Sequence, residues 1–173
     1  LRVTPQGHAL SIGPHKTNSS MGVLVDVDPA VVGSVTEIPL VGWRNGVNAR
    51  FAVDETGQVY FDAAGSTPAA PTLQVLNRST NATTTVVYDT PPAEPAGSTF
   101  PAYTEGSLWG PIPGGGVFAL RQHETGADIV KLTANGEATF VIHSELAVYG
   151  ATRLRVRDGY LYVSGFGIWR SRD

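Results

Sequence analysis

Two carboxylates near the start of the chain are spaced as a cation site or an acid–base pair would require. Asp26 and Asp28 alternate with Val25 and Val27, so in a strand both carboxylates lie on one face. Carboxylates placed in this way could ligate a cation or serve as acid and base. The solvated face of an outer strand gives the same pattern more often. The pair is therefore only a weak candidate for a metal site.

Two arginines hold matching positions in different parts of the chain. Arg50 and Arg153 each begin an apolar strand that leads into a glycine turn, and Asn48 lies beside Arg50. Guanidinium groups bind carboxylate or phosphate through two parallel hydrogen bonds. Arg50, Arg153 and Asn48 are thus predicted to form an anion-binding site where these strands begin. The alternative is that each arginine forms a salt bridge with an adjacent unit.

Tryptophan side chains could stack on a sugar ring or an apolar partner. Trp43 and Trp109 each lie beside Gly or Pro, which favours exposed loop positions. The alternative is packing between sheets.

The four histidines, 8, 15, 123 and 143, fall in different segments, which is typical of scattered surface histidines. The chain has no Cys and none of the common nucleophile, zinc or nucleotide motifs, so no catalytic residue and no cofactor is assigned.

A repeated hairpin organises these residues. Residues 50–61 (RFAVDETGQVYF) and 153–163 (RLRVRDGYLYV) share an arginine, alternating apolar residues and a turn closed by glycine. Residues 1–11 form a third copy, and second hairpins turn near 29–33, 77–82 and 135–136. Alternation with period two predicts an all-β chain of four-stranded antiparallel units. We place these units at 1–41, 47–89, 104–144 and 152–173, with a Pro/Ala/Gly-rich loop at 90–103.

These units resemble the blades of bacterial β-propellers of the NHL and gluconolactonase-like group. The resemblance lies in residues 53–61 (VDETGQVYF) and 132–137 (LTANGE). It implies a propeller of about three and a half blades within a single β domain, 1–173. Lactonases of this kind hold a metal with an axial carboxylate and Asn. Asn48 and Asp54 are the nearest counterparts, but they do not match the family residue for residue. A β-sandwich or jelly roll is the alternative fold.

Charge and composition narrow the range of partners. The net charge of -3 argues against a nucleic-acid footprint, and no apolar run reaches the roughly 18 residues of a membrane span. The first residue is Leu1 rather than Met, which is compatible with removal of a leader. We therefore expect an extracytoplasmic or secreted location.

The function expected from these features is binding rather than catalysis. A rigid β scaffold would present loops to a protein or glycan partner. A metal-dependent lactonase or hydrolase is the first alternative, and a structural assembly subunit is the second. Because the fourth unit lacks a recognisable last strand, we expect a homo-oligomer or association with further blades.

Overall fold

The described residues form four antiparallel sheets and no helix. The structure, a computed structural model, describes residues 1–18, 21–43, 51–63, 72–85, 104–112, 114–123, 126–133, 135, 138–144, 153–158, 160–164 and 168–172. Over this part of the chain, no helix has the length and hydropathy to cross a membrane.

Each sheet is a simple meander whose strands follow chain order. The first contains β1 (Arg2–Val3), β2 (Ala9–Pro14), β3 (Gly22–Val27) and β4 (Val35–Leu40). The second contains β5 (Phe51–Val53), β6 (Val59–Ala63), β7 (Thr72–Asn77) and β8 (Ala82–Thr85). The third contains β9 (Thr104–Trp109), β10 (Val117–His123), β11 (Gly126–Leu132) and β12 (Ala138–Ser144). The fourth contains β13 (Arg153–Arg157), β14 (Tyr160–Ser164) and β15 (Ile168–Arg172).

The prediction of an all-β chain is confirmed, and each sheet lies within one predicted unit. The first strand of the third sheet spans Thr104–Trp109. Pro111 has no N–H to offer a neighbouring strand, so the strand ends before Gly110. The predicted loop at 90–103 lies outside the described residues.

Glycines close the first turn of each of the first three sheets. Gly7, Gly57 and Gly115 have φ values of 87°, 85° and 85°. These values confirm the positive φ that was predicted for these hairpins. Residues that carry a Cβ are strained in this left-handed region, which is why glycine occupies the position. Gly159, the fourth predicted turn glycine, lies outside the described residues, but its neighbour Asp158 has a φ of 53°.

The core consists of apolar layers between successive sheets. We call the face that a sheet turns to the next sheet its front face, and the opposite one its back face. Leu10, Leu24 and Ile38 on the front of the first sheet pack against Phe51 and other back-face residues of the second. The front of the second sheet packs in the same way against the back of the third, through the cluster of Ala52, Tyr60, Leu73, Val75, Leu108, Val117, Ala119, Val130 and Leu132.

The first strands of the sheets contact one another in series: β1 contacts β5, β5 contacts β9 and β9 contacts β13. Arg2 Nε donates to the carbonyl of Phe51 at 3.3 Å, which ties β1 to β5. A Cβ on Gly110 would lie 2.6 Å from the carbonyl oxygen of Val53, so the ends of β5 and β9 also meet. The first three sheets are therefore aligned, with their first turns at the same end.

Candidate functional site

The candidate site lies at the end of the sheets where the first turns meet, which we call the turn end. Gln6 Nε2, in the first turn of the first sheet, donates to the carbonyl of Glu55 at 3.3 Å. Glu55 Oε1 in turn lies 3.7 Å from where a Cβ on Gly115 would stand. The first turns of three sheets are thus side by side. Because the sheets are meanders, the turns between third and fourth strands lie at this end too.

The first turns of the first and second sheets have the same hydrogen bonds. In the first, Thr4 N donates to His8 O and Gly7 N to Thr4 O, both at 2.9 Å. In the second, the corresponding bonds are Asp54 N to Gln58 O and Gly57 N to Asp54 O, both 3.1 Å. Thr4 and Asp54 are thus equivalent positions. Both are buried, at 3% and 0% exposure, so each side chain shapes its own turn.

Asp54 is a buried carboxylate whose partners all lie in its own hairpin. Its Oδ1 accepts from the backbone N–H of Thr56 and of Gln58, both at 2.9 Å, and from the Thr56 hydroxyl at 2.7 Å. Its Oδ2 accepts from the Tyr60 hydroxyl at 3.2 Å. Burial, the charge of Asp54 and this hydrogen bond together raise the pKa of Tyr60 above its ordinary value. The carboxylate therefore holds the turn and keeps the phenol protonated.

A cluster of three charged or ionisable side chains joins the first two sheets. Asp26, in β3, accepts at Oδ2 from Nε of Arg78 at 3.0 Å, and Arg78 Nη2 contacts the same oxygen. Nδ1 of His8 lies 2.8 Å from Asp26 Oδ1. Arg78 also reaches the carbonyl of Gly57 through Nη1 at 3.4 Å. We call these residues, His8, Asp26 and Arg78, the clamp.

The geometry of the clamp favours a structural role over catalysis. An imidazole held by a carboxylate is half of the arrangement that activates a nucleophile. Here, however, the nitrogen that faces Asp26 also lies 3.1 Å from Nη2 of Arg78, a guanidinium and not a hydroxyl. Both carboxylate oxygens are engaged, and the Asp26 and Arg78 side chains are only 12% and 16% exposed. The clamp thus fixes the first turn of one sheet against the last turn of the next.

The structure separates the two predicted metal-ligand candidates. Asp26 belongs to the clamp, so the interpretation of its face as solvated is wrong: it faces the second sheet. Asp28 Oδ1 accepts from the backbone N–H of Ala30 at 2.9 Å and so caps its own turn. Among the described residues, no group of three or more His, Asp or Glu side chains is arranged to hold a metal ion.

The two tryptophans are not brought together. Trp43 is 4% exposed, so its expected exposure is wrong. Its indole lies directly on Gly22, where a Cβ would stand 2.5 Å from Trp43 Cγ, and this close approach buries the ring. Trp109 is half-buried at the last position of β9. Trp43 follows β4, so the two rings lie at opposite ends of the aligned sheets.

The predicted anion site falls largely outside the described residues. Arg50 and Asn48 are in the undescribed segment 44–50. Arg153 is the first residue of β13, where its backbone pairs with Ser164. The clamp was not predicted as a unit, although Asp26 and His8 were considered singly. Its one sequence signal is an Arg in a polar turn, directly before Ser79 and Thr80, and that signal is weak.

Comparison of the chain with protein-family models, with curated proteins and with solved structures found no match.

Proposed function

We propose that the four sheets are propeller-type blades and that the chain is a non-catalytic binding module. Its partner, a protein or a glycan, would contact the turn end. The observation that carries this proposal is the alignment of three first turns at one end, fixed by contacts between sheets. The resemblance to NHL and gluconolactonase-like propellers supports the fold part of the proposal.

The strand order also supports propeller-type blades. Each sheet is a meander in chain order, and its first strand contacts the first strand of the next sheet. Blades of a propeller have this order, with first strands around an axis. A sandwich or jelly roll uses Greek-key connections, in which strands adjacent in a sheet are often distant in sequence.

The side chains of the turn end support binding. Glu55 and Thr56 are exposed at the second turn, and Ser79 to Asn81 are exposed in the last turn of the same sheet. Val31 and Val32, at 55% and 103% exposure, add apolar surface at the last turn of the first sheet. The clamp meanwhile holds the turns in fixed positions. A rigid scaffold with mixed polar and apolar turns favours recognition over chemistry.

Charge-reversal variants at the two ends test this proposal. Glu55 is exposed at the turn end, and Lys16 is exposed in the loop between β2 and β3 at the opposite end, so Glu55→Lys and Lys16→Glu are matched variants. We expect the wild-type chain to bind members of a glycan array or a panel of purified secreted proteins. Binding should fall at least about tenfold in Glu55→Lys, equivalent to about 1.4 kcal/mol, and stay unchanged in Lys16→Glu.

Two results would contradict the proposal. One is loss of binding in Lys16→Glu with retention in Glu55→Lys, which would place the partner at the opposite end. The other is turnover of a lactone or ester panel in the presence of Ca²⁺, Mg²⁺ or Zn²⁺, which would favour the lactonase or hydrolase alternative.

A further inference from the structure

The clamp is a charged contact beside an otherwise apolar layer between the first two sheets. That layer consists of side chains such as Leu10, Leu24 and Phe51. Asp26 lies on the same front face as Leu24, because the two residues are two positions apart in β3. Apolar packing has no preferred direction, whereas a carboxylate accepts hydrogen bonds only where donors stand. The clamp is therefore the contact that can decide how the first sheet is placed.

The second sheet has an apolar residue at the position of Asp26. Asp26 is the strand partner of Leu10, and Val75 is the strand partner of Tyr60. Leu10 and Tyr60 are equivalent, because each lies six residues after the residue that shapes the first turn of its sheet. Val75 is buried in the layer between the second and third sheets. Two sheets of this chain thus pack together without a charge at this position.

The back faces of the second and third sheets are similar apolar surfaces. Each has a fully buried cross-strand pair of Val and Leu: Val59–Leu76 in the second sheet and Val117–Leu132 in the third. Burial of apolar surface alone therefore discriminates poorly between these two faces as a cover for the first sheet. The residue two positions after the Leu differs, since it is Arg78 in the second sheet and Ala134 in the third.

We infer that the clamp specifies the packing of the first sheet. Among the described surfaces that could cover its front face, the observed one on the second sheet pairs Asp26 with a guanidinium. In a competing arrangement the carboxylate would be desolvated without a cation. An unpaired, desolvated charge costs more than the small difference between two apolar surfaces. One ion pair can therefore reject the competing arrangements without adding much net stability.

Specifying an arrangement and stabilising it are separable, because removing one member of the clamp differs from removing both. Arg78→Met leaves the Asp26 carboxylate without its cation, which is strongly destabilising for a buried pair. Replacing both members with apolar side chains leaves no such charge, and replacements of this kind are often neutral or stabilising. The second sheet already has Val at the position of Asp26, so the apolar double variant is Asp26→Val/Arg78→Met.

NMR of the indole N–H groups, combined with thermal melting of the full chain, tests the inference. Trp43, one of three Trp residues, packs in the layer between the first two sheets, so its signal reports the placement of the first sheet. The wild type should give one Trp43 signal. Arg78→Met should melt roughly 5–10 °C below wild type, and the apolar double variant within about 4 °C of it. The double variant should nevertheless give a second Trp43 signal, with at least about 10% of the total intensity.

Two control variants separate the loss of a single arrangement from the loss of stability. Leu24→Ala removes apolar volume from the same layer and leaves the clamp intact. It should melt roughly 5–15 °C below wild type and keep one Trp43 signal. Arg157→Met/Asp158→Asn removes an exposed ion pair between neighbouring residues of one hairpin. This variant should match the wild type in both measurements.

Three results would overturn the inference. One Trp43 signal in an apolar double variant that melts near the wild type would show that apolar packing alone specifies the arrangement. A double variant that is unfolded, or that melts as low as Arg78→Met, would show that the clamp stabilises the contact rather than specifying it. A second Trp43 signal in Leu24→Ala would assign the additional arrangement to weaker packing.

Discussion

Replacing Arg78 with Met should weaken the contact between the first two sheets. Met keeps most of the apolar stem of the side chain but removes its charge and its contacts with Asp26, His8 and the carbonyl of Gly57. Asp26 would then keep His8 and lose the guanidinium that neutralises its carboxylate. A matched control exists in Arg157, whose Nε lies 3.3 Å from Asp158 Oδ2. Arg157→Met also removes a guanidinium, but from an ion pair between neighbouring residues of one hairpin that joins no two sheets.

The expected loss of unfolding free energy follows from how exposed the side chains of each ion pair are. The Arg78 and Asp26 side chains are 16% and 12% exposed, against 70% and 80% for Arg157 and Asp158. Breaking a buried ion pair costs about 3–5 kcal/mol, and a hydrogen bond to a charged group contributes about 1.5–3 kcal/mol. For a pair that is mostly but not wholly buried, we expect Arg78→Met to lower the free energy of unfolding by about 2–3 kcal/mol. Arg157→Met should cost at most about 0.5 kcal/mol.

Urea unfolding followed by tryptophan fluorescence measures this difference, because Trp43 is packed in the layer between the first two sheets. With an m value of about 2 kcal/mol/M, Arg78→Met should lower the midpoint by about 1–1.5 M urea. A cycle with Asp26→Asn and the double variant should give a coupling of about 1–3 kcal/mol. Midpoints for Arg78→Met and Arg157→Met that agree within error would show that the clamp does not stabilise the contact.

Two further predictions concern the first turns. Gly57→Ala should destabilise the chain by about 1–3 kcal/mol, since φ is 85° and the new Cβ would stand 3.0 Å from both Arg78 Nη1 and Gln6 Oε1. Gly13→Ala, where a Cβ meets nothing within 4 Å, should be nearly neutral, and thermal melts of the two variants measure the difference. Tyr60 has a folded pKa raised above the unfolded value of 10.0, so its contribution to stability is present below pH 10 and is lost as the pH rises further. Tyr60→Phe should reduce the fall in stability between pH 9 and 11, and equal pH dependence in the two proteins would refute the Asp54–Tyr60 argument.

The hairpins were predictable because their causes are local. A turn that needs a positive φ selects glycine at a fixed distance from alternating apolar residues, and Gly7, Gly57 and Gly115 show this in the sequence. Meander pairing between neighbouring strands follows from the same short spacing. The alternation also separates two faces, which is why Asp26 and Val25 were correctly placed on opposite sides of β3.

The clamp and the burial of Trp43 depend on contacts that the spacing of residues does not encode. Arg78 and Asp26 are 52 positions apart and meet only because β7 and β3 belong to sheets that pack front to back. The sequence around Arg78, a polar turn, is compatible with full exposure. Trp43 follows a Gly and was expected in an exposed loop, but the space over Gly22 receives its ring. Both outcomes require knowing which face of one sheet meets which face of the next.

Because the sheets pack in series, they differ in how many of their faces are covered by a neighbouring sheet. The second sheet is buried on both faces: Phe51, Ala52 and Val53, three consecutive residues of β5, are 8%, 1% and 2% exposed. It therefore depends on neighbours on either side, as in repeat proteins whose stability is a sum of unit and interface terms. Among the described residues the first sheet packs on the second, and this is the contact that the clamp reinforces with charge. The ion pair there adds a charged contact to the apolar packing that joins the first sheet to the second.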